Sequence, residues 1–474
     1  MRMMHELRLV VAGLLIIGGC SYPNRQLNDP SLLLEQRQKN HTRSAVFADV
    51  TAPQETQTSP LRTDRIVRAS KPDFSMPPDQ DGTFVGLAIS GGGSRSANFS
   101  AACMFQLERV GLLQHVDYIS SVSGGSVVAA YYCMKGSEWN PKDVQYNLTR
   151  PFASMLLGRT LLPWNQIAFY FGDYDRSDVL AGVFSDTLFN RYGKPLTYAN
   201  LRRDRPRLLI NATDLQSGRR FVFCNESFDL LNSNLSQLPI SYAVAASAAV
   251  PVVLHPVTLR DFSTTFHQYR HLIDGGVSDN LGVQTLIETY SAQIRTAQRS
   301  GQADPYPNGA VLIVLDASTR FNPEISSESD VGIIESIKAA VGLSTSLVNR
   351  TSSATMAETI VNSAQDQETA AQLRDQIRQL NDDGFLRMTD RTGHPVRIIY
   401  MTISQVNKLP NLPFVGFSES LNSIATYFNI SPTESYHLYE AADLLMREKF
   451  EPHAREVVNE IEHGGKSSTR PASP

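Results

Sequence analysis

The 474-residue sequence predicts an α/β fold of three layers, in which helices cover both faces of a mostly parallel central sheet. Short apolar runs typical of buried strands alternate with longer runs of helical character beyond residue 80. Glycine- and serine-rich junctions join a strand to a helix at 91–96 and again at 121–126. The hydrophobic fraction of 42% and the charged fraction of 19% are those of an ordinary globular protein.

The individual elements follow from these patterns in chain order. Strands are predicted at 83–90, 116–122, 206–214, 221–225, 271–276, 310–318 and 396–404. Helices are predicted at 97–113, from Ser126 onward, and at 418–463. Residues 330–380 combine mixed charges with helix formers and lack a strand signal, which predicts a helical insertion.

The N-terminus predicts an exported protein. Residues 1–19 have a charged start followed by eleven apolar residues, too few to cross a bilayer, which takes about 20. This pattern is typical of a signal peptide. The run ends at Cys20 and resembles the lipobox of bacterial lipoproteins, which implies that Cys20 is lipidated. Ser21 then favours the outer membrane of the bacterial cell envelope. An ordinary signal peptide with a chance cysteine, or a buried core segment, is the alternative.

Composition sets the other boundaries. Residues 20–80 are rich in Pro, Gln, Asn, Ser and Thr, which predicts a flexible tether after the lipidated cysteine. One folded domain is expected at 81–465, with its motifs within 83–290, and a disordered tail at 466–474. A net charge of -4 and the lack of any basic run of five residues give no indication of a nucleic-acid partner.

Three cysteines remain after Cys20, and each lies among apolar residues. Cys103, Cys133 and Cys224 can form at most one disulfide within the chain, because their number is odd. We expect them to be buried as small hydrophobic side chains. No cysteine pair or Cys/His cluster has the spacing of a zinc site.

The stretch YISSVSGGS, residues 118–126, contains one plausible nucleophile. A nucleophilic serine needs a sharp strand-to-helix turn with small residues two positions before and after it. Only Ser123 meets this rule, with Ser121 before it and Gly125 after it, because Ser126 is followed by the bulky Val128. A glycine-containing connection without chemistry is the alternative.

The run GGGSRS, residues 91–96, also opens a helix. Glycines expose backbone N–H groups to an anion, either a phosphate or the oxyanion of acyl transfer, where each donor contributes about 3 kcal/mol. The lysine of a P-loop is absent. A dinucleotide site is a weak alternative, since Ser96 replaces its last glycine and Asp117 follows Gly93 by 24 residues. An oxyanion hole accounts better for a loop about 30 residues before an elbow serine.

The base that activates Ser123 is predicted to be a carboxylate. Asp274 ends the apolar strand of HLIDGG and is followed by two glycines, a position where catalytic groups of α/β folds gather. Asp214 and Asp316 also end predicted strands and compete with it, and an Asp-Gly turn is the alternative without chemistry. No histidine after Ser123 lies in a clear strand-end loop, and His255 is expected to be structural.

Together, GGGSRS (91–96), SVSGG (121–125) and DGG (274–276) resemble the patatin-like phospholipase family, whose pattern is G-G-G-x-R-G, G-x-S-x-G and D-G-[GA]. Residues 211–223 and 241–257 are similar to family segments as well. The resemblance implies a patatin-like α/β/α fold, a serine esterase or lipase acting on phospholipid or another acyl-ester lipid, and no metal or cofactor. It implies a Ser–Asp dyad of Ser123 and Asp274, with an oxyanion loop of Gly91, Gly92 and Gly93 and with Arg95 beside it.

Two positions depart from the family pattern. Ser121 replaces the first glycine of the elbow, and Ser96 replaces the last glycine of the loop. These departures motivate one alternative to a hydrolase, a non-catalytic envelope lipoprotein on a degenerate scaffold. An acyltransferase that uses the same acyl-enzyme is the other alternative.

Two apolar segments are candidates for substrate or membrane contact. Residues 154–171, which include Trp164, could line an acyl pocket or rest on a membrane, and residues 409–417 raise the same question. For both, the sequence favours burial in the core.

Overall fold

The computed structural model describes residues 27–29, 81–251, 253–264, 268–317, 380, 383–390 and 392–464. The predicted signal peptide 1–19, Cys20, the helical insertion 330–380 apart from Leu380, and the tail 466–474 lie outside the described residues.

A mixed sheet forms the middle layer of the described structure. The strands are β1 (Phe84–Ile89), β2 (Tyr118–Val122), β3 (Asn190–Arg191), β4 (Lys194–Pro195), β5 (Arg207–Asp214), β6 (Arg220–Phe223), β7 (Val257–Asp261), β8 (Gln268–Asp274), β9 (Ala310–Asp316), β10 (Phe385–Thr389) and β11 (Pro395–Thr402). Their order is β10-β11-β9-β1-β2-β5-β8-β7, with β6 beside β5 and with β3 and β4 as a separate hairpin. The prediction of a mostly parallel sheet is confirmed for the adjacent strands β11, β9, β1, β2 and β5.

Helices cover both faces of this sheet. They are α1 (Gly93–Arg109), α2 (Gly124–Met134), α3 (Pro141–Leu148), α4 (Phe152–Thr160), α5 (Pro163–Phe171), α6 (Arg176–Thr187), α7 (Asn225–Leu230), α8 (Ile240–Ser247), α9 (Val283–Arg299), α10 (Phe417–Asn422), α11 (Pro432–Leu445) and α12 (Glu451–Gly464), with a π-helical turn at Met446–Phe450. None of the helices in the described ranges has both the length and the apolar character needed to cross a membrane.

The sheet has a hydrophobic core on each of its two faces, because the side chains of a pleated strand alternate between the faces. Val85 and Leu87 of β1 enter the larger core, which α1, α2, α8 and α11 cover. Phe84 and Ala88 of the same strand point to the opposite face, where they meet Leu286 of α9. Neighbouring side chains of a strand point to opposite faces, so a buried strand between two helical layers is apolar throughout.

Two elements begin or run differently from the prediction. Helix α1 begins at Gly93 rather than at residue 97, so the glycine run supplies the first helical turn. Strand β8, which ends at Asp274, pairs with β5 in the antiparallel direction, unlike the parallel strands at the centre of the sheet. The β7–β8 hairpin therefore extends the sheet with the opposite polarity.

Part of the predicted tether 20–80 is docked on the domain. The Leu27 N–H donates to the Thr258 carbonyl of edge strand β7 at 3.3 Å. The buried Asn28 side chain donates to the Arg260 carbonyl at 2.8 Å and accepts from the Arg260 N–H at 2.7 Å. A polar side chain that pairs with both backbone groups of an edge residue substitutes for a neighbouring strand, so flexibility is the wrong description of residues 27–29.

Candidate active site

Ser123 occupies a strained turn between β2 and α2. Its backbone has φ 50° and ψ -121°, and it is one of three non-glycine residues with positive φ among the described residues. Such a conformation is costly for a residue with a side chain, and it persists only where the surrounding structure enforces it. The turn is so crowded that a Cβ on Gly125 of α2 would lie 2.6 Å from the carbonyl oxygen of Ser90, the residue that follows the neighbouring strand β1.

The Ser123 hydroxyl donates a hydrogen bond to Asp274. Its Oγ lies 2.9 Å from Asp274 Oδ2, while Asp274 Oδ1 accepts from the Gly276 N–H at 2.7 Å. Both side chains are buried. Burial raises the pKa of Asp274 to about 6, although the hydrogen bonds from Gly276 and Ser123 act in the opposite direction. The partner of the hydroxyl is thus a carboxylate of raised basicity rather than an imidazole.

Asp274 reaches this point from the opposite direction to Ser123. Val122, which precedes Ser123, pairs with Asn211, and the next residue of β5, Ala212, pairs with Asp274. Strand β8 overlaps only the last three residues of β5, so it ends at the carboxyl edge of the parallel strands. Asp274 therefore lies at the carboxyl edge of the parallel strands, although its own strand runs in the opposite direction.

The glycine run borders the elbow directly. Gly92 and Gly93 have φ values of 135° and 58°, which favour glycine. A Cβ on Gly124 would collide with the Gly93 carbonyl and would lie 2.6 Å from the Gly93 nitrogen. The N–H groups of Gly92 and Gly93 have no acceptor among the described residues. Both N–H groups therefore remain available as donors beside Ser123.

Gly91 and Arg95 differ from the predicted role in the oxyanion loop. The Gly91 N–H already donates to the Asn280 carbonyl at 3.0 Å, so it shapes the loop instead of facing a substrate. The buried Arg95 donates from Nη1 to the Ile424 carbonyl at 2.8 Å. Burial lowers the pKa of Arg95 to about 10, against the attraction of Asp316. Arg95 thus ties the loop to the C-terminal segment from within the core.

The hydroxyl of Ser121 belongs to a buried hydrogen-bond network. Ser126 Oγ lies 3.1 Å from Ser121 Oγ and 2.9 Å from Ser247 Oγ. Ser247 Oγ accepts from the Ser123 N–H at 2.8 Å and donates to the Asn211 carbonyl at 2.6 Å. The serine in place of the elbow glycine therefore satisfies its polar group, as burial requires.

Ser96, the second departure, is also hydrogen-bonded. Its hydroxyl donates to the Ser90 carbonyl at 2.5 Å, at the end of β1. Its own N–H donates to the Gly92 carbonyl at 3.2 Å. Ser96 thereby links the end of β1 to the glycine run.

Sequence reasoning missed two residues of the site. The Ser247 hydroxyl holds the Ser123 backbone, and the Asn280 carbonyl holds Gly91. A Cβ on Gly276 would lie 2.6 Å from Asn280 Oδ1 and 2.9 Å from Asp274 Oδ1, which places the Asn280 side chain next to the dyad. A serine within the alanine-rich run of α8 was a usable signal for Ser247, because polar residues seldom occur there without a partner.

The competing carboxylates and His255 have other partners. Asp214 pairs with Arg270 at 3.3 Å, and Asp316 accepts from the Tyr400 hydroxyl at 2.5 Å. The His255 carbonyl accepts from a serine hydroxyl of α6, and burial lowers the pKa of the His255 ring to about 4. Asp117, the acidic residue of the dinucleotide alternative, accepts from the Val85 N–H at 2.8 Å within the sheet.

The thiols and potential metal ligands complete the inventory. Cys103, Cys133 and Cys224 are free and buried, as expected, and burial raises the pKa of Cys133 to about 12. Within the ranges that the structure describes, no group of three or more His, Cys, Asp or Glu side chains could hold a metal ion.

The family resemblance is confirmed over part of the chain. Residues 87–287 match the family model described as patatin-like phospholipase, and these residues contain the glycine run, the elbow and Asp274. The match covers less than half of the 474 residues. No curated protein shows a significant sequence match to the chain.

Solved structures show distant similarity. Human GIVD cytosolic phospholipase A2 in complex with methyl gamma-linolenyl fluorophosphonate has a TM-score of 0.45 and 12% identity, over 81% of this chain and 60% of that chain. VipD from Legionella pneumophila has a TM-score of 0.26 and 12% identity, over 78% of this chain and 68% of that chain. The chain thus spans about 60% of the human enzyme's length.

Proposed function

We propose that the patatin-like phospholipase domain formed by residues 87–287 makes this chain a serine acyl hydrolase that cleaves acyl esters of lipids. The observation that carries the proposal is the 2.9 Å hydrogen bond from a strained, buried serine to a carboxylate of raised pKa. A serine that merely closed a turn would not need a buried acid as the partner of its hydroxyl, because burial of an acid costs stability.

In the first half of the reaction, Ser123 Oγ attacks the ester carbonyl carbon and its proton passes to Asp274 Oδ2. The oxyanion of the tetrahedral intermediate accepts hydrogen bonds from the Gly92 and Gly93 N–H groups at the start of α1. The intermediate collapses when the proton moves from Asp274 to the departing alcohol oxygen. The products of this half are the free alcohol and an acyl group on Ser123.

In the second half, water attacks the acyl carbon while Asp274 accepts one of its protons. The carboxylic acid leaves, and Ser123 Oγ regains the proton. The pKa of about 6 suits both roles, because the carboxylate is the main form at neutral pH and is more basic than an exposed Asp. The positive φ directs the hydroxyl out of the turn toward substrate.

The test is covalent labelling of the intact chain with a fluorophosphonate probe, together with a panel of esters. We expect labelling and hydrolysis in the parent and neither in Ser123→Ala, with the same circular dichroism spectrum. Labelling at another residue, or undiminished hydrolysis in Ser123→Ala, would refute the assignment. A transacylated product formed with an alcohol acceptor present would instead identify an acyltransferase on the same acyl-enzyme.

The site of action is a separate part of the proposal. The lipobox resemblance supports lipidation of Cys20 and attachment to a bacterial membrane, with the outer membrane favoured by Ser21. Cys20→Ser is expected to move the protein from the membrane fraction to the soluble fraction. Retention that withstands dilution and washing after this substitution would exclude the anchor without affecting the assignment of the dyad, because reversible binding by a protein surface is lost on washing.

A further inference from the structure

Helices α4 and α5 expose an apolar stripe that the sequence favoured as buried. Helix α5 has no buried residue, and Trp164, Ile167 and Phe171 are 63%, 60% and 88% exposed. Leu157 of α4 and Leu161, which follows α4, are 53% and 49% exposed as well. We call the exposed apolar side chains of these two consecutive helices the α4–α5 surface, defined by Leu157, Leu161, Trp164, Ile167 and Phe171.

This surface carries no charge of its own. Residues 160–172, TLLPWNQIAFYFG, contain neither an acidic nor a basic side chain. The nearest preceding charge, Arg159, is paired with Asp186 at 2.8 Å. Covering these side chains with an apolar medium would therefore remove apolar area from water, and the next charge along the chain, the exposed Asp173, lies beyond the end of α5.

The first end of the α4–α6 excursion, residues 152–187, is fixed beside the glycine run. The Ala153 N–H of α4 donates to the Phe428 carbonyl at 2.8 Å, and the Ser94 N–H of α1 donates to the adjacent Tyr427 carbonyl at 3.1 Å. The rings of Phe152 and Phe428 both pack on Phe184. One pair of neighbouring residues thus links the start of α4 to the oxyanion side of the site.

The other end of the excursion is fixed on the side of the base. The Ser177 hydroxyl of α6 donates to the His255 carbonyl at 2.5 Å. His255 follows Ala249 by six residues, at most about 21 Å of chain, and the Ala249 carbonyl accepts from the Asp274 N–H at 2.9 Å. The apolar stripe is therefore carried by a segment that is tied at one end to the Tyr427–Phe428 pair beside the glycine run and at the other end to His255.

We propose that the α4–α5 surface inserts into a lipid surface and so places the entrance of the active site at the lipid–water interface. The proposal rests on the proposed lipid acyl hydrolase activity, whose substrate lies in such a surface. A nine-residue helix is far too short to span a bilayer, but an apolar face with a tryptophan suits the interfacial layer.

The docked N-terminal segment keeps the domain close to a membrane if Cys20 is lipidated. Only six residues separate Cys20 from Leu27, which is held on β7 beside Thr258. This chain length spans at most about 25 Å. The lipid anchor would therefore keep the domain within a short distance of the membrane, and insertion of the α4–α5 surface would set the orientation of the domain.

The chain contains a built-in probe for this proposal, because it has two tryptophans. Trp139 is 7% exposed and stacks on Phe105, whereas Trp164 lies on the α4–α5 surface. Phosphatidylcholine vesicles with brominated acyl chains are added to the full chain carrying Cys20→Ser, so that no lipid anchor holds it there. We expect quenching of tryptophan fluorescence, and no quenching after Trp164→Phe.

Charge substitutions measure the contribution of the surface. Ile167→Asp and Phe171→Asp, each in the Cys20→Ser background, are expected to weaken vesicle binding about tenfold, because each prevents burial of one large apolar side chain. Tyr192→Asp is the matched control, since Tyr192 is 98% exposed on the β3–β4 hairpin. Hydrolysis of phospholipid in vesicles should fall with binding, while hydrolysis of soluble p-nitrophenyl butyrate stays unchanged.

The outcomes separate this inference from the proposed function. Ser123→Ala should bind vesicles like its parent but should not hydrolyse phospholipid. Hydrolysis by this variant would overturn the assignment of the dyad, whereas the proposal for the α4–α5 surface would still stand on vesicle binding. Unquenched Trp164 fluorescence, or equal binding by Phe171→Asp and Tyr192→Asp, would overturn the lipid surface. Dissociation of a dimer by Phe171→Asp in sedimentation would also overturn it and would make the surface an interface between copies.

Discussion

The elbow region, residues 118–134, and the apolar region 160–172 look alike in sequence but have opposite environments. Both lack charged side chains and are rich in apolar residues. Every residue from 118 to 134 is buried, whereas helix α5 has no buried residue. The first region is a strand and helix inside the sandwich of layers, and the second projects from it. Apolar composition therefore predicts that burial of a segment is favourable, but the packing of the three layers determines whether the segment is buried within the domain.

The largest expected effect lies at the centre of the buried region. Asp274→Asn keeps an acceptor for the Ser123 hydroxyl but cannot take its proton, so kcat/KM should fall by about 10³-fold or more. The measurement is initial rates of p-nitrophenyl butyrate hydrolysis, with Tyr192→Asp as the control. A loss below tenfold would mean that Asp274 positions Ser123 and does not accept its proton.

The same variant has an opposite effect on stability. The pKa of Asp274 in the folded protein, about 6, lies above the usual 3.8. Burial of the carboxylate therefore lowers the free energy of unfolding progressively as the pH rises from about 4 to about 6. Asp274→Asn removes this cost and should raise the free energy of unfolding at pH 7 by up to about 3 kcal/mol. Denaturant midpoints at pH 4 and pH 7 test this, since the difference between variant and parent should shrink at pH 4.

The same change, isoleucine to alanine, made once in each region tests whether the two regions differ in burial. Ile119 is fully buried in β2, whereas Ile167 is 60% exposed on α5. Ile119→Ala should lower the free energy of unfolding by about 2–5 kcal/mol through loss of packing, and Ile167→Ala by no more than about 0.5 kcal/mol. Equal losses in urea unfolding would show that other residues cover α5 in solution.

The serine network beneath the elbow should show a smaller and graded effect. Ser247→Ala removes the acceptor of the Ser123 N–H and should lower kcat by about tenfold with KM retained, because the hydrogen bond positions the nucleophile. Ser121→Gly removes only a hydroxyl that bonds Ser126, so kcat should change by less than about threefold. Equal effects of the two substitutions would argue against a positioning role for Ser247.

A change of pH perturbs the site least, because it changes the protonation of Asp274 and substitutes no residue. The proposed mechanism requires Asp274 as the carboxylate in the free enzyme, so kcat/KM should rise with pH up to a plateau above its pKa of about 6. At pH 5 it should be about tenfold below the plateau. Circular dichroism over the same range controls for unfolding. A rate that is constant between pH 5 and pH 7 would mean that another group accepts the proton.

Much of the fold and of the site follows from local pattern. The buried strands 84–89, 118–122 and 207–214 differ from the predicted ones by one or two residues at their ends, because a strand covered on both faces is apolar throughout. Ser123 could be selected because the elbow requires small neighbours at fixed offsets. Asp274 required only a strand end followed by glycines.

Tertiary structure decided the remaining features, because they depend on partners distant in sequence. The antiparallel direction of β8, the inward turn of Arg95, and the contact of Ser247 with Ser123 arise from residues more than 50 positions apart. The docking of residues 27–29 and the exposure of α5 likewise depend on which surfaces the rest of the chain covers. Local sequence fixes which residues can form a turn, a strand or a nucleophile, whereas long-range packing fixes what each side chain meets.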